Sequence, residues 1–381
     1  MTNFDISVER RRTNSIKWDR YKGRDVLPMW LADMDFLCPE PIIAALQERI
    51  SHGIFGYTYP PEELYEVIIS MLEREYQWKV EADWIVLMPG IVTGINAACR
   101  CLADKGDEVI TSYPVYNPFF EAPLSVERNL IKVEMVLENG RYVMDFDELE
   151  KRMTPRTKLL ELCSPHNPVG RVFTREELTR LAEICLKHDV YISSDEIHCG
   201  LVIEEGAKHI PIGALCSEIA QRSVTMMAPS KTFNIPGLCC AFAIIPNREI
   251  RHKMLNTMKG LVPFVNLLGY TAAISAYRDC GEWHDGLIKY LRGNRDIMER
   301  VVARTPGISM THVEATYLGW IDMRNLGMEY PAKYLEECGV GVNDGRDFGK
   351  PGFVRLNFAC PRARLEQGLS ILESAITKLN R

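Results

Sequence analysis

Short apolar runs that end in turn residues alternate, between positions 84 and 245, with helix-patterned stretches, and few folds accept that order. A chain alternating in this way builds a parallel sheet whose strands are joined by crossover helices. The pattern predicts strands over residues 84–88, 108–112, 158–163, 190–194, 224–228 and 240–245. Several are apolar at successive positions, as burial on both faces requires. Residues 174–188 show what fills the gaps. Thr174 and Glu177 are spaced for a capping box, and Leu178, Leu181, Ala182, Cys185 and Leu186 form an apolar stripe at helical spacing.

Past about residue 280 the pattern changes to a long helical stretch over 282–303, strands over 316–323 and 352–357, and a last helix over 362–379. This reads as a smaller α+β unit. The opening residues are polar, and a helix over 39–51 is placed to pack against either body. The expectation is therefore a large domain over 46–280 and a discontinuous small domain of 1–45 with 281–381. No Gly-, Ser- or Pro-rich linker, low-complexity tract or internal repeat marks the joins.

Composition narrows the function. With 46% hydrophobic and 25% charged residues in 381, the chain is neither disordered nor fibrous. Its 45 basic and 51 acidic residues are interspersed, leaving a net charge of −6 and no basic stripe for nucleic acid. The first twenty residues hold no apolar signal core, and the longest apolar runs, such as 238–245, fall short of the roughly 18 residues a membrane span needs. No membrane partner is expected. Twelve cysteines without a C-x-x-C pair read as reduced, packed thiols in a cytoplasmic protein, and eight scattered histidines give no metal-ligand spacing.

Open α/β sheets bind ligands beyond the carboxyl ends of their strands. Three predicted strands run into chemically rich turns there: Ser164-Pro165-His166-Asn167-Pro168-Val169-Gly170, then Asp195-Glu196-Ile197-His198, then Pro229-Ser230-Lys231-Thr232. Taken singly these are a turn-forming Asn, an N-cap Asp and a solvated Lys. Together they bring an amide, a carboxylate and an amine to one crevice. Pyridoxal 5'-phosphate needs that set: an amine for covalent attachment, an acid beside the pyridinium nitrogen so that the ring acts as an electron sink, and a donor to the ring oxygen. Its phosphate needs an anchor, and the run Pro89-Gly90-Ile91-Val92 opening a helix to about Leu102 offers free N–H groups.

Further motifs extend along the chain: residues Pro28 to Phe36 (PMWLADMDF), Phe55-Gly56-Tyr57, Tyr113-Pro114-Val115-Tyr116, Ser194 to His198, Ser230-Lys231-Thr232-Phe233-Asn234 and Val354-Arg355-Leu356-Asn357. With these the chain resembles, over nearly its whole length, the fold type I pyridoxal-phosphate enzymes of the class I/II aminotransferase superfamily. Within that superfamily it resembles the cystathionine β-lyase group of C–S lyases. The resemblance implies a mostly parallel seven-stranded sheet flanked by helices, with a smaller α+β domain. It implies that Lys231 carries the cofactor, Asp195 pairs with the pyridinium, Asn167 bonds the ring oxygen and Tyr116 stacks on the ring. Arg355 would clamp the substrate α-carboxylate as a bidentate fork. Tyr57 would reach the phosphate in a neighbouring subunit, implying a homodimer with shared active sites.

Departures from the aspartate-aminotransferase pattern refine this. That group has a serine three residues before the lysine, an arginine eight after it and a tyrosine three after the aspartate; here Ala228, Cys239 and His198 stand there. Ser230, Tyr57 and the Gly90-Ile91-Val92 turn are left to hold the phosphate, and a dicarboxylate transaminase is disfavoured. The expected reaction is β-elimination from cysteine S-conjugates such as L-cystathionine, giving pyruvate, ammonia and a thiol. An aminotransferase that uses a 2-keto acid, or a non-catalytic cofactor-binding regulatory protein, are the alternatives.

Overall fold

The computed structural model describes residues 2–379. The apolar runs become strands of one seven-stranded sheet: β1 (Ile85–Met88), β2 (Glu108–Tyr113), β3 (Asn129–Glu134), β4 (Thr157–Cys163), β5 (Tyr191–Asp195), β6 (Ser223–Met227) and β7 (Ala241–Ile244). Their order is β1-β7-β6-β5-β4-β2-β3. All point the same way except β7, which pairs antiparallel with β1 and β6. This is the mostly parallel seven-stranded sheet that the resemblance implies, and the antiparallel course of β7 left no mark in the sequence because an apolar run buried on both faces carries no sign of its direction. Strand β3 escaped the sequence pattern. It is a half-exposed edge strand, and its Lys132 lies over the rings of Tyr113 and Phe120 at 5.6 and 5.1 Å, as suits an edge shielded by a cation.

The helices that matter for the site are α1 (Glu40–Ser51), α2 (Glu62–Tyr76), α3 (Ile91–Leu102), α4 (Arg175–Lys187), α5 (Leu267–Asp279), α6 (Gly281–Arg304) and α7 (Arg362–Leu379). Helix α4 has its capping box: Glu177 N–H donates to Thr174 Oγ1 at 3.2 Å, and Thr174 N–H to Glu177 Oε2 at 2.7 Å. Helix α3 buries Ile91, Ile95, Ala98, Cys99 and Leu102 against the sheet. Truncating a core residue such as Ile95 to Ala costs about 2–5 kcal/mol. Gly94 permits the close approach, since a Cβ there would stand 2.3 Å from Met226 Sδ and 2.8 Å from Met88 Sδ. The helix start is thereby fixed over the strand ends.

A four-stranded antiparallel sheet follows, from β8 (Ser309–Met310), β9 (Leu318–Asp322), β10 (Asn343–Asp344) and β11 (Phe353–Asn357), in the order β8-β9-β11-β10. The expected strands over 316–323 and 352–357 are shorter, because Thr316 (φ +74°) and Gly352 (φ +82°) adopt left-handed backbone that no strand accepts. Phe4, Trp18, Met34 and Ile42 share one core with Leu287, Leu291, Leu365 and Leu372, so both ends of the chain meet around α6 and α7. Helix α1 runs unbroken through the expected boundary at 45/46 and packs on α5. Cys216 and Cys239 are exposed rather than packed: the first precedes a short helix and the second sits in a left-handed turn at φ +51°. Among the described residues no helix is long and apolar enough to cross a membrane.

Candidate active site

Strands β4, β5 and β6 are neighbours, so the turns that follow them open side by side over a cavity of about 230 Å³. Asn167, Asp195, Lys231, Tyr116, His198 and Arg355 line it. Gly90, Ile91, Val92 and Ser230 form another part of the wall, which brings ten of the eleven sequence-derived residues to one place. Tyr57 is the exception. Its side chain is fully exposed (108%), on a segment outside this cavity.

The charges in the cavity are held in unusual states. Burial pushes the Lys231 ammonium down to about 8, with the Arg355 cation adding to the effect. A lysine so placed loses its proton far more readily than one in water. Its Nζ donates to the Ala32 carbonyl at 2.6 Å. Burial raises the Asp195 carboxyl to about 6, against the pull of the Ile197 N–H, which donates to Oδ1 at 3.0 Å. His198 is driven well below the ordinary histidine range by burial, then by the Lys231 and Arg355 charges, and its Nδ1 has no partner among the described residues. It is a neutral ring.

Arg355, on β11, is a buried cation with no carboxylate in ion-pair contact among the described residues. Its Nη1 donates to Asn167 Oδ1 at 3.0 Å, and its Nη2 to the Trp30 carbonyl at 3.1 Å and Asn343 Oδ1 at 2.6 Å. Nε is left unpartnered, and burial lowers the guanidinium to about 10. Such a cation is poised for an incoming carboxylate. Because Arg355 engages Asn167 through its oxygen, the Asn167 amide nitrogen is directed elsewhere. Helix α3 adds a third polar wall: Gly90 extends no capping side chain, so the N–H groups of its first turn are free for an anion.

A strap over residues 28–36 closes the remaining side, placing Leu31 and Ala32 in the cavity. The sequence marked it as a motif without revealing its work. Asn357 Nδ2 donates to the Leu31 and Asp33 carbonyls at 2.5 and 2.7 Å, and Asn234 donates to those of Met34 and Phe36 at 3.1 and 2.9 Å. Buried Asp35 accepts from Arg10 at 2.6 Å, Trp18 Nε1 at 3.0 Å and Lys17 at 3.2 Å. Tyr317 OH donates to the Ala32 carbonyl at 3.0 Å. The preceding Thr316 has left-handed backbone (φ +74°), a conformation that costs on the order of 1–3 kcal/mol. Of these residues Asp35, Asn234 and Asn357 belong to motifs visible in the sequence, whereas Arg10, Lys17, Trp18 and Tyr317 left no trace there.

The model of the family described as Aminotransferase class I and II matches residues 25–372. The chain belongs to this family. It is 38% identical over 387 residues to cystathionine beta-lyase PatB of Bacillus subtilis (strain 168), covering 98% of this chain and 100% of that protein. Among solved structures it is similar to OvoB, with a TM-score of 0.97, 45% identity and 99% of each chain covered. Cystalysin from Treponema denticola, a structure that contains pyridoxal 5'-phosphate, matches with a TM-score of 0.95 and 35% identity over 100% of both chains.

Proposed function

We propose that the cavity holds pyridoxal 5'-phosphate and that the protein is a carbon–sulfur β-lyase acting on L-cystathionine or related cysteine S-conjugates. The observation that carries this is the meeting of a deprotonatable lysine, a buried carboxylate and an oriented amide at three adjacent strand ends, beside an arginine that has no acidic partner among the described residues. The residues fit the group. Lys231 offers the attaching amine and Asp195 an anion for the ring nitrogen. The Asn167 amide is a donor for the ring oxygen, Tyr116 supplies a face to stack on, and His198 lies at the cavity edge. The phosphate would be held by Ser230 and the first-turn N–H groups of Gly90, Ile91 and Val92. Bound there, the cofactor supplies an electron sink for the pair left on the substrate α-carbon.

The chain's own residues do the rest. Arg355 orients the amino acid by its α-carboxylate, already stripped of water and held by three acceptors. Lys231, with its proton affinity lowered by burial, takes the α-proton at Nζ as general base. Departure of a thiolate from the β-carbon, the sulfur taking up a proton to leave as the thiol, then completes the elimination, and the released enamine hydrolyses with one water to pyruvate and ammonia. Leu31, Ala32 and the rest of the strap exclude bulk water from this exchange.

The active form is a homodimer in which each cavity is finished by its neighbour. Phe55, Tyr57, Tyr59 and Phe264 are exposed at 61%, 108%, 94% and 90%, an apolar belt beside which a second copy fits. Tyr57, fully exposed on its own chain, would reach the partner's phosphate site. Residues 46–280 would act as the cofactor-bearing unit, with 1–45 and 281–381 as the unit carrying Arg355. Twelve free thiols suit the reducing cytoplasm. A panel of amino acids tests the reading: pyruvate should form from those with sulfur on the β-carbon and from none lacking a leaving group. Keto-acid-dependent amino transfer without pyruvate would instead make it an aminotransferase.

A further inference from the structure

Asp195 is followed by a second acid whose side chain serves no part of the cavity. Successive residues of an extended strand point to opposite faces, so Glu196 turns behind β5 while Asp195 faces the site. Glu196 is completely buried. Its Oε1 accepts from Ser194 Oγ and from the Ile212 N–H, each at 2.9 Å, and its Oε2 lies 2.6 Å from His209 Nε2. His209 is itself 1% exposed at the side chain, and the ring of Tyr76, at the end of α2, meets it edge-on at 5.6 Å. Backbone bonds tie the same turn down: Glu196 N–H donates to the Met226 carbonyl at 2.8 Å, and Ser164 N–H to that of Asp195 at 2.9 Å. One buried pair thus ties the turn after β5, itself bonded through its backbone to the ends of β4 and β6, to the loop around residue 209.

We propose that His209 is a positioning residue: paired with Glu196, it fixes the turn after β5 and thereby the placement of Asp195 under the cofactor ring. The inference rests on the reading that Asp195 pairs with that ring. Without His209, Glu196 Oε2 is a fully buried oxygen that has lost its 2.6 Å partner, and the side chain must either find another partner or swing toward water. Either response displaces the turn. His209 acts only through Glu196 and touches neither cofactor nor substrate.

The test compares His209→Phe, Asp195→Asn and the double variant Glu196→Gln/His209→Gln as holoenzymes. The readouts are the pyridoxal phosphate dissociation constant by equilibrium dialysis and the visible circular dichroism of the bound cofactor, which reports ring placement. His209→Phe should loosen the cofactor on the order of tenfold and alter the dichroic band. The double variant, which replaces the hydrogen-bonded pair by two amides able to bond each other, should recover most of both. The inference is overturned if His209→Phe binds cofactor as the parent does with an unchanged band, whatever its thermal stability. If His209→Phe does not fold, the double variant decides: a tenfold weaker, displaced cofactor in that well-matched pair also overturns it. Unchanged cofactor binding in Asp195→Asn would overturn the underlying role of Asp195, whereas loosening in Asp195→Asn without loosening in His209→Phe overturns the His209 proposal alone.

Discussion

Arg355→Met separates what the buried guanidinium does for the fold from what it does for the reaction. Burial lowers the Arg355 guanidinium from its ordinary range to about 10, which corresponds to an environment unfavourable to the cation by about 3 kcal/mol. Against this stand the three hydrogen bonds to Asn167, Trp30 and Asn343, each worth about 1 kcal/mol net. The two contributions nearly cancel. Methionine preserves the packing on Phe348, over whose ring the guanidinium lies at 4.7 Å, so the melting temperature of the variant should stay within about 3 °C of the parent. Catalysis has no such offset. A charged partner lost from the α-carboxylate costs about 2–4 kcal/mol, a fall in kcat/KM of roughly 30- to 900-fold. Steady-state kinetics on an S-conjugate and on the matching amine without its carboxylate give the comparison. The amine should be turned over equally poorly by both proteins. A fall in kcat/KM of less than about threefold, or equal losses on acid and amine, would refute the assignment of Arg355 to the carboxylate.

Three shorter predictions concern the cofactor. Borohydride treatment of the holoenzyme should fix a cofactor mass on the peptide containing Lys231, and Lys231→Ala should lose both the adduct and turnover; an adduct on another lysine would refute the assignment. Because Asp195 is raised to about 6, it is neutral below that pH and cannot pair with a cationic ring nitrogen. Cofactor affinity should therefore fall on acidification below about pH 6, approaching tenfold per pH unit. The cofactor's phosphate titrates in the same range, so the comparison is with Asp195→Asn, whose binding should be weak throughout and less steep. Tyr57→Phe should weaken cofactor retention while sedimentation still shows a dimer, and a fully active monomer would remove the reason for placing Tyr57 at a partner's site.

What the sequence made legible follows from which forces leave a periodic trace. Strand β1 is a continuous apolar run and β2, β4, β5 and β6 carry shorter apolar stretches that end in turn residues, and the turns after three of them hold Asn167, Asp195 and Lys231. Edge strand β3 mixes exposed and buried positions, so its pattern is weak, and the antiparallel course of β7 has no sequence signature. The strap over 28–36 was visible only as a motif. Its fixing by Asn234, Asn357, Lys17 and Arg10 depends on pairs separated by as many as 326 positions, beyond the reach of any local pattern. The same holds for Tyr317 above Ala32 and for His209 behind Glu196, whose partners lie 285 and 13 positions away.

The most direct measurement incubates purified holoenzyme with L-cystathionine in the absence of any keto acid and follows pyruvate, ammonia and free thiol together. The account predicts equal amounts of all three, accumulating over many turnovers and abolished by Lys231→Ala. No pyruvate from L-cystathionine or any other cysteine S-conjugate, together with acceptor-dependent conversion of an amino acid to its own keto acid, would contradict it.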